Sequence, residues 1–266
     1  MKVLISADIE GITGIRTWAQ ATKGDQEYAR YAKRMTDEVA AACRGAQAAG
    51  AHEIVVRDAH DSADNIDVEC LPETVSFISG FNEHPHCMLF GLDDGYDAVI
   101  MIGYHSPSGS DGNPLAHTLS LELTDFRLNG QHVGEFELHA MLAASMGVPV
   151  VFVSGDATLI EMINKHNPAI KTVATQRAAG NTIVYPHPKL VCRAIEEQVR
   201  AALVAYPKIP CFSLPSHFDV TLSFTTASKA YRASHYPNMT QVDSRTVRYV
   251  SDSILDVMRM VQFTLF

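Results

Sequence analysis

The sequence predicts an α/β fold in which a mainly parallel sheet is flanked by helices. Three short apolar runs have the composition of strands that are buried on both faces, at residues 3–5, 53–57 and 97–103. An amphipathic stretch at 25–49 separates the first two runs and has the length of a crossover helix. Alternation of buried strands and helices at this spacing is typical of parallel sheets.

The remaining segments extend this pattern along the chain. Asn129-Gly130 is the strongest hairpin signal, because this dipeptide favours the left-handed backbone of a two-residue turn. Three prolines at 207, 210 and 215 indicate a boundary between a main domain, 1–210, and a smaller α+β carboxyl-terminal subdomain, 211–266. Strands are predicted at 75–79, 119–128, 148–153, 171–175, 182–185, 218–225 and 246–250, and helices at 134–146, 188–206 and from about 252.

Composition argues against two classes of partner. With 30 acidic and 21 basic residues the formal charge is −9. Nucleic acid and anionic membranes bind proteins that have a basic surface. No apolar run approaches the ~20 residues of a membrane span, and the first residues lack the features of a signal peptide. Five cysteines at scattered spacings suit a reducing compartment. We therefore expect a cytoplasmic protein that binds neither nucleic acid nor membrane.

Polar side chains follow three of the predicted parallel strands at the point where each strand ends. Asp8 and Glu10 follow the first strand, His60 follows the second, and His105 follows the strand at 97–103. The carboxyl ends of parallel strands meet at one edge of a sheet, where ligands bind in open α/β folds. Glu135, at the start of a predicted helix, can face the same cleft. The two adjacent acids repel each other unless a proton, a basic side chain or a metal cation offsets their charge.

Carboxylates and imidazoles without thiolates are the ligand set of hydrolytic zinc or manganese sites. Five such ligands suit two metal ions, with Asp8 as the bridging carboxylate because it lies deepest in its strand. The alternative to a metal site is a solvated loop that contains the Asp-x-Glu motif, together with histidines that have structural roles. A Rossmann-type cofactor site is disfavoured, since Gly11 and Gly14 do not complete the Gly-x-Gly-x-x-Gly pattern.

Several short motifs resemble those of the zinc D-aminopeptidases, the DppA-type or M55 metallopeptidases. Their order and approximate spacing agree with that family from residue 3 to about residue 156, and the similarity thins out in the carboxyl-terminal third. The motifs are Ser-Ala-Asp-Ile-Glu-Gly at 6–11, Asp-Ala-His at 58–60, Gly-Tyr-His at 103–105, Ala-His-Thr at 116–118, Gly-Glu at 134–135 and Val-Ser-Gly-Asp at 153–156.

The resemblance implies an enzyme with two zinc ions per subunit. One zinc would be held by Asp8, Glu10 and His60, and the second by Asp8, His105 and Glu135. His117 would be the catalytic residue beside them, as a proton shuttle or as a stabiliser of the oxyanion. The family implies release of amino-terminal residues from short peptides that contain D-amino acids, and an α/β subunit assembled into a homodecamer.

Alternatives to this activity stay open at the level of the sequence. They are hydrolysis of another amide or ester, including L-peptides, and non-catalytic binding of a metal or peptide. A phosphoesterase is disfavoured because Arg16 is the only arginine near the first motif. An extra unliganded histidine such as His117 favours catalysis over simple binding.

Two positions differ from the family pattern. After Gly134-Glu135 the family has a small residue and then an asparagine, whereas this chain has Glu137 and His139. A helix from Gly134 places Glu135 and His139 four residues apart on one face. Two interpretations follow. In the first, Glu137 is a solvated or helix-dipole-favoured acid in the first turn and His139 is a packed neighbour. In the second, the pair reshapes the pocket and alters the preferred amino-terminal residue.

Overall fold

The computed structural model describes residues 1–266 and contains twelve strands and seven α-helices. The strands are β1 (Lys2–Ala7), β2 (Glu53–Asp58), β3 (Val75–Ile78), β4 (Ala98–Tyr104), β5 (Leu123–Leu128), β6 (Gln131–His132), β7 (Val150–Asp156), β8 (Lys171–Ala179), β9 (Thr182–Val184), β10 (Phe218–Phe224), β11 (Thr240–Gln241) and β12 (Thr246–Ser251). The helices are α1 (Trp18–Ala21), α2 (Tyr28–Ala48), α3 (Glu135–Ser145), α4 (Ala157–His166), α5 (Pro188–Ala205), α6 (Ala227–Ala233) and α7 (Ile254–Leu265). None of these helices combines the length and apolar composition that a membrane crossing requires.

The first sheet has seven strands in the order β3-β2-β1-β4-β7-β8-β9. All neighbouring pairs are parallel except β8 with β9. The central strand β1 pairs with β2 and β4, so that Ala7 lies beside both Asp58 and Ile102. Helices α2 and α5 bury one face of this sheet, and α3, α7 and the second sheet share a core with the other face. The predicted α/β class with flanking helices is confirmed.

The second sheet is antiparallel, with the strand order β11-β12-β10-β5-β6. Strands β5 and β6 form the predicted hairpin, in which Asn129 and Gly130 both have positive φ angles, 50° and 79°. The predicted strand at 119–128 begins only at Leu123, because Leu119 has a left-handed backbone (φ 62°) that an extended strand does not accept. The second sheet takes β5 and β6 from before residue 210 and β10 to β12 from after it. The domain division at 210 stays a prediction.

Two glycines bring the carboxyl ends of β1 and β4 into direct contact. The backbone N–H of Gly11 donates to the carbonyl of Gly103 at 2.7 Å. A β-carbon on Gly11 would lie 1.7 Å from the carbonyl oxygen of Tyr104, and one on Gly103 would lie 2.3 Å from that of Asp8. No other residue type fits there, and this close approach places the side chains that follow the two strands side by side.

Candidate metal centre

Asp8 and Glu10 lie buried where the central strand of the parallel sheet ends. They are 2% and 1% exposed, and the backbone N–H of Asp8 donates to the carbonyl of Ile102 at 2.8 Å. β1 ends at Ala7 and the chain turns at Glu10, so a turn and not extended backbone brings both carboxylates to the same cleft. Burial of two adjacent acids requires compensating positive charge.

His60 supplies one side of this cleft. Its Nδ1 lies 3.2 Å from Asp8 Oδ1 and 3.0 Å from Glu10 Oε2. Its Nε2 lies 2.9 Å from the carbonyl oxygen of Ala21, a partner that can only accept a hydrogen bond. The proton of a neutral His60 therefore belongs on Nε2, and a lone pair on Nδ1 faces the two carboxylates, the arrangement that metal-ligating histidines favour.

Asp58, at the end of β2, does not contact the His60 ring. Its carboxylate accepts hydrogen bonds from the backbone N–H groups of Asn65 and Ile66 and from the Asn65 amide. It therefore shapes the loop after His60, which is the role of a strand-end turn residue.

His105 and Glu135 form the opposite side of the cleft. His105 Nε2 lies 3.5 Å from Asp8 Oδ2 and 3.3 Å from Glu135 Oε2, while its Nδ1 is 3.0 Å from the carbonyl oxygen of Ser106. Glu135 is the first residue of α3, and its Oε1 accepts a hydrogen bond from the Leu119 backbone N–H at 2.8 Å. The two oxygens of Asp8 thus face two different histidines.

His117 lies against the same side of the cleft. Its ring stacks on His105 with centroids 4.4 Å apart and planes 9° apart, and its Nε2 lies 3.6 Å from Glu135 Oε1. The carbonyl of Leu115 lies 3.0 Å from its Nδ1, and Trp18 packs edge-on against its ring. Donor atoms of His105, His117 and Glu135 lie within 4.8 Å of one another, as do those of Asp8, Glu10 and His105.

The electrostatics of the centre depend on how acids and imidazoles are paired. Burial, reinforced by Glu10, raises the pKa of Asp8 well above its usual value. Burial acts in the same direction on Glu10, but the charge of His60 outweighs it and holds the pKa of Glu10 well below the ordinary range. Burial would lower the pKa values of His60 and His105, yet Glu10 and Glu135 respectively raise both well above normal.

These shifts describe a site in which protons on histidine balance buried carboxylates when no metal is bound. Metal binding displaces such protons, since ligating imidazoles must be neutral. Asp8 Oδ2, Glu10 Oε2 and His105 Nε2 are buried without any hydrogen-bond partner. Unsatisfied buried donors and acceptors are rare in proteins, and these three converge on one cleft. The residues therefore fit zinc, which accepts carboxylate oxygen and imidazole nitrogen ligands.

Two buried residues outside the predicted ligand set support the centre. The amide of Asn113 donates to the carbonyl of Glu10 at 2.8 Å and to Asp156 Oδ2 at 3.3 Å. Asp156 Oδ2 also accepts from the backbone N–H of Ser106, and its Oδ1 caps α4 through Leu159. The helix-cap position of Asp156 is visible in the sequence, but its second partner is not.

Glu137 and His139 do not line the cavity of the site. Glu137 accepts a hydrogen bond from the Gly134 backbone N–H at 2.8 Å, which caps α3. His139 is fully buried, with Nδ1 2.7 Å from the Glu135 carbonyl and Nε2 3.4 Å from the Met88 backbone N–H. Burial lowers the pKa of His139 to about 4. The first interpretation therefore describes both side chains, with Glu137 as a first-turn acid of α3 and His139 as a packed neighbour. His139 contacts the cavity wall through the backbones of Glu135 and Met88.

The centre opens into a cavity of about 360 Å³. This volume is typical of small-ligand sites. The cavity wall includes Asp8, His60, His117 and Glu135. Apolar side chains form much of the remaining wall, including Phe81, Met88 and Leu119.

Comparisons with known proteins identify the family to which the chain is similar. A family model described as D-aminopeptidase, peptidase M55, matches residues 1–263. A D-aminopeptidase of Bacillus subtilis (strain 168) is 27% identical over 258 residues, which are 96% of this chain and 93% of that protein. The solved structure of the Zn-dependent D-aminopeptidase DppA from Bacillus subtilis, described as a self-compartmentalizing protease, superimposes with a TM-score of 0.91 at 26% identity, covering 100% of this chain and 97% of that chain.

Proposed function

Because the chain belongs to the D-aminopeptidase family, peptidase M55, we propose that it is a zinc aminopeptidase that releases the amino-terminal D-residue of short peptides. The observation that carries this proposal is the position of Asp8, whose two carboxylate oxygens face His60 and His105. That arrangement suits a carboxylate shared by two metal ions.

The proposal assigns two zinc ions to each subunit. Asp8, Glu10 and His60 would hold one ion, and Asp8, His105 and Glu135 the other. Each of the two histidines has its second ring nitrogen next to a backbone carbonyl, which orients the ring and leaves one nitrogen free for a metal. Zinc at these positions would supply Lewis acidity toward the scissile carbonyl and lower the pKa of water.

His117 is proposed to act on the proton or the oxyanion of the reaction. Burial and the neighbouring His105 lower the pKa of His117, so the ring is neutral near pH 7 and can accept a proton. Its backbone contact through Nδ1 leaves Nε2 to face the cleft. A proton taken up there can be passed to the leaving amine.

Assembly and location belong to the same proposal. The relative DppA is described as self-compartmentalizing, and we propose that this chain forms a homo-oligomer, a decamer. Exposed apolar side chains such as Val204, Tyr231 and Phe263 are available for contacts between subunits. Five free thiols suit the reducing cytoplasm, which is the proposed location.

The decisive experiment joins elemental analysis to a substrate screen. Purified protein should contain two zinc ions per subunit and should cleave D-aminoacyl peptides with a higher kcat/KM than their L-counterparts. Removal of metal by a chelator should abolish cleavage, and added zinc should restore it. Cleavage that survives full metal removal, or a clear preference for L-peptides, would contradict the proposal.

A further inference from the structure

The wall of the cavity next to the centre carries acidic residues, and its only basic side chains are the histidines His60 and His117. Besides the proposed metal ligands Asp8 and Glu135, its wall includes Asp61 and Glu83, and no lysine or arginine lines it. Asp61 and Glu83 are both exposed, and neither forms an ion pair with a lysine or arginine. Two unpaired carboxylates therefore stand at the mouth of the cavity.

The backbone holds both acids in place. Asp61 and Glu83 have left-handed conformations, with φ angles of 45° and 57°. This region is uncommon for residues other than glycine, so the surrounding loops impose it. Asp61 directly follows His60, and Glu83 follows the wall residue Phe81 by two positions. Each acid is thus tied to a segment that already shapes the cavity.

The electric charge of the cavity depends on these two residues once metal is bound. Two zinc ions outweigh the three carboxylates of Asp8, Glu10 and Glu135. Asp61 and Glu83 are then the acids on the wall that no cation neutralises. A ligand with a positive charge near the mouth would be stabilised, and a ligand with a negative charge there would be repelled.

Apolar side chains on the cavity wall provide a second kind of contact for a ligand, besides the charges of the two acids. Phe81, Met88 and Leu119 lie on the wall of the same cavity as the centre and the two exposed acids. Long cationic side chains bury their methylene groups against apolar surface while the charged end stays near water. A lysine-like side chain matches this wall, because its methylene groups can pack on the apolar residues and its charged end can approach the exposed acids.

We propose that the cavity selects peptides whose amino-terminal residue has a long cationic side chain, with Asp61 and Glu83 receiving its ammonium or guanidinium group. The inference rests on the proposed function, because the amino-terminal side chain occupies this cavity only if the scissile carbonyl lies at the centre. Asp8 marks the cavity as a ligand site, because it lies on the cavity wall and its Oδ2 is buried without a hydrogen-bond partner.

The test compares substrates that differ only in the terminal charge. Dipeptides that begin with lysine, norleucine or glutamate, each in the D- and L-form, are assayed at low salt. We expect lysyl peptides to exceed norleucyl peptides in kcat/KM by about 2- to 5-fold for each of the two carboxylates, the range of exposed charge pairs, with glutamyl peptides last. Added salt should reduce the lysyl preference, because exposed charges are screened.

Variants assign the preference to the two acids. Asp61→Asn and Glu83→Gln should each lower the lysyl-to-norleucyl ratio, and the double variant should bring it close to one. Glu73→Gln is the matched control, since Glu73 is also exposed and unpaired but precedes β3 at the opposite edge of the sheet. Calorimetry with free D-lysine and D-norleucine measures binding without turnover. D-lysine should bind more tightly than D-norleucine to the wild type, and this difference should be absent in the double variant.

The outcomes separate this inference from the proposed function. Equal cleavage of lysyl and norleucyl peptides by the wild type, or a ratio unchanged in the double variant, overturns the inference and leaves the aminopeptidase intact. If none of the six peptides is cleaved but other D-aminoacyl peptides are, the inference alone is overturned. If the zinc-loaded protein cleaves no D-aminoacyl peptide at all, both are overturned.

Discussion

Two buried acidic regions of this protein have opposite electrostatics. Glu135 at the candidate metal centre and Glu38 on α2 are both nearly inaccessible to water, at 3% and 1% exposure. Burial raises the pKa of Glu38 to about 7, although Thr13 donates to its Oε1 from both its backbone N–H and its hydroxyl. Burial acts the same way on Glu135, but His105 outweighs it and lowers the pKa to about 2.

The difference shows that burial alone does not define a metal site. Burial of Glu38 favours the protonated form, because the neutral donors of Thr13 and the charge of Arg34 offset it only in part. Its hydrogen bonds fix the loop that follows Glu10. The acids of the centre face imidazole nitrogens whose other ring nitrogens contact backbone carbonyls. Only the second arrangement leaves several lone pairs directed at one point, which a cation can occupy.

The largest expected effect comes from removing the carboxylate that both sides of the centre share. Asp8→Ala should lose both metal ions and lower kcat/KM by roughly 10³-fold or more, the scale of losing a main electrostatic stabiliser of the transition state. His60→Ala should lose mainly one ion, and Glu38→Gln should keep both. Zinc content measured per subunit checks this order. Full metal content in Asp8→Ala would refute the bridging role.

A smaller effect is expected from the histidine that we place outside the ligand set. His117→Ala should retain two zinc ions and lose about 10²- to 10⁴-fold in kcat, the usual contribution of a general acid or base. The measurement pairs metal content with kcat on one preparation. Since His117 also lies within reach of a metal bound by His105 and Glu135, loss of zinc in this variant would instead make it a ligand.

The smallest effect concerns Glu38 and appears in stability, not in catalysis. Its folded-state pKa of about 7 exceeds the ordinary 4.5, so the folded protein binds a proton that the unfolded chain has already released. Stability should therefore fall as pH rises from 4.5 to about 7, by on the order of 3 kcal/mol in total from this group.

Glu38→Gln should flatten this part of the pH profile, because glutamine does not titrate. Denaturant unfolding at pH 5 and pH 8 compares the variant with the wild type, and Glu73→Gln serves as the exposed control. A parallel pH dependence in wild type and Glu38→Gln would show that Glu38 is ionised in the folded protein.

Much of the fold was predictable because local patterns and global architecture agree. The apolar runs of β1, β2 and β4 are long enough to be recognised, and an amphipathic helix separates the first two. The short helices α1 and α6 were not predicted, since four to seven residues carry too little periodicity. The second sheet also escaped prediction as one unit, because β5 pairs with β10 across about 90 residues of chain.

The amino-acid pattern alone predicts the edge of the sheet at which Asp8, Glu10, His60 and His105 meet, because parallel strands end on the same side. What those residues face depends on how distant segments pack. The stacking of His117 on His105, the arrival of Glu135 from α3 and the second partner of Asp156 depend on loops whose course no local pattern specifies. The opposite pKa shifts of Glu38 and Glu135 have the same origin, since a carboxylate's neighbours in space are set by packing between segments that lie far apart in the chain.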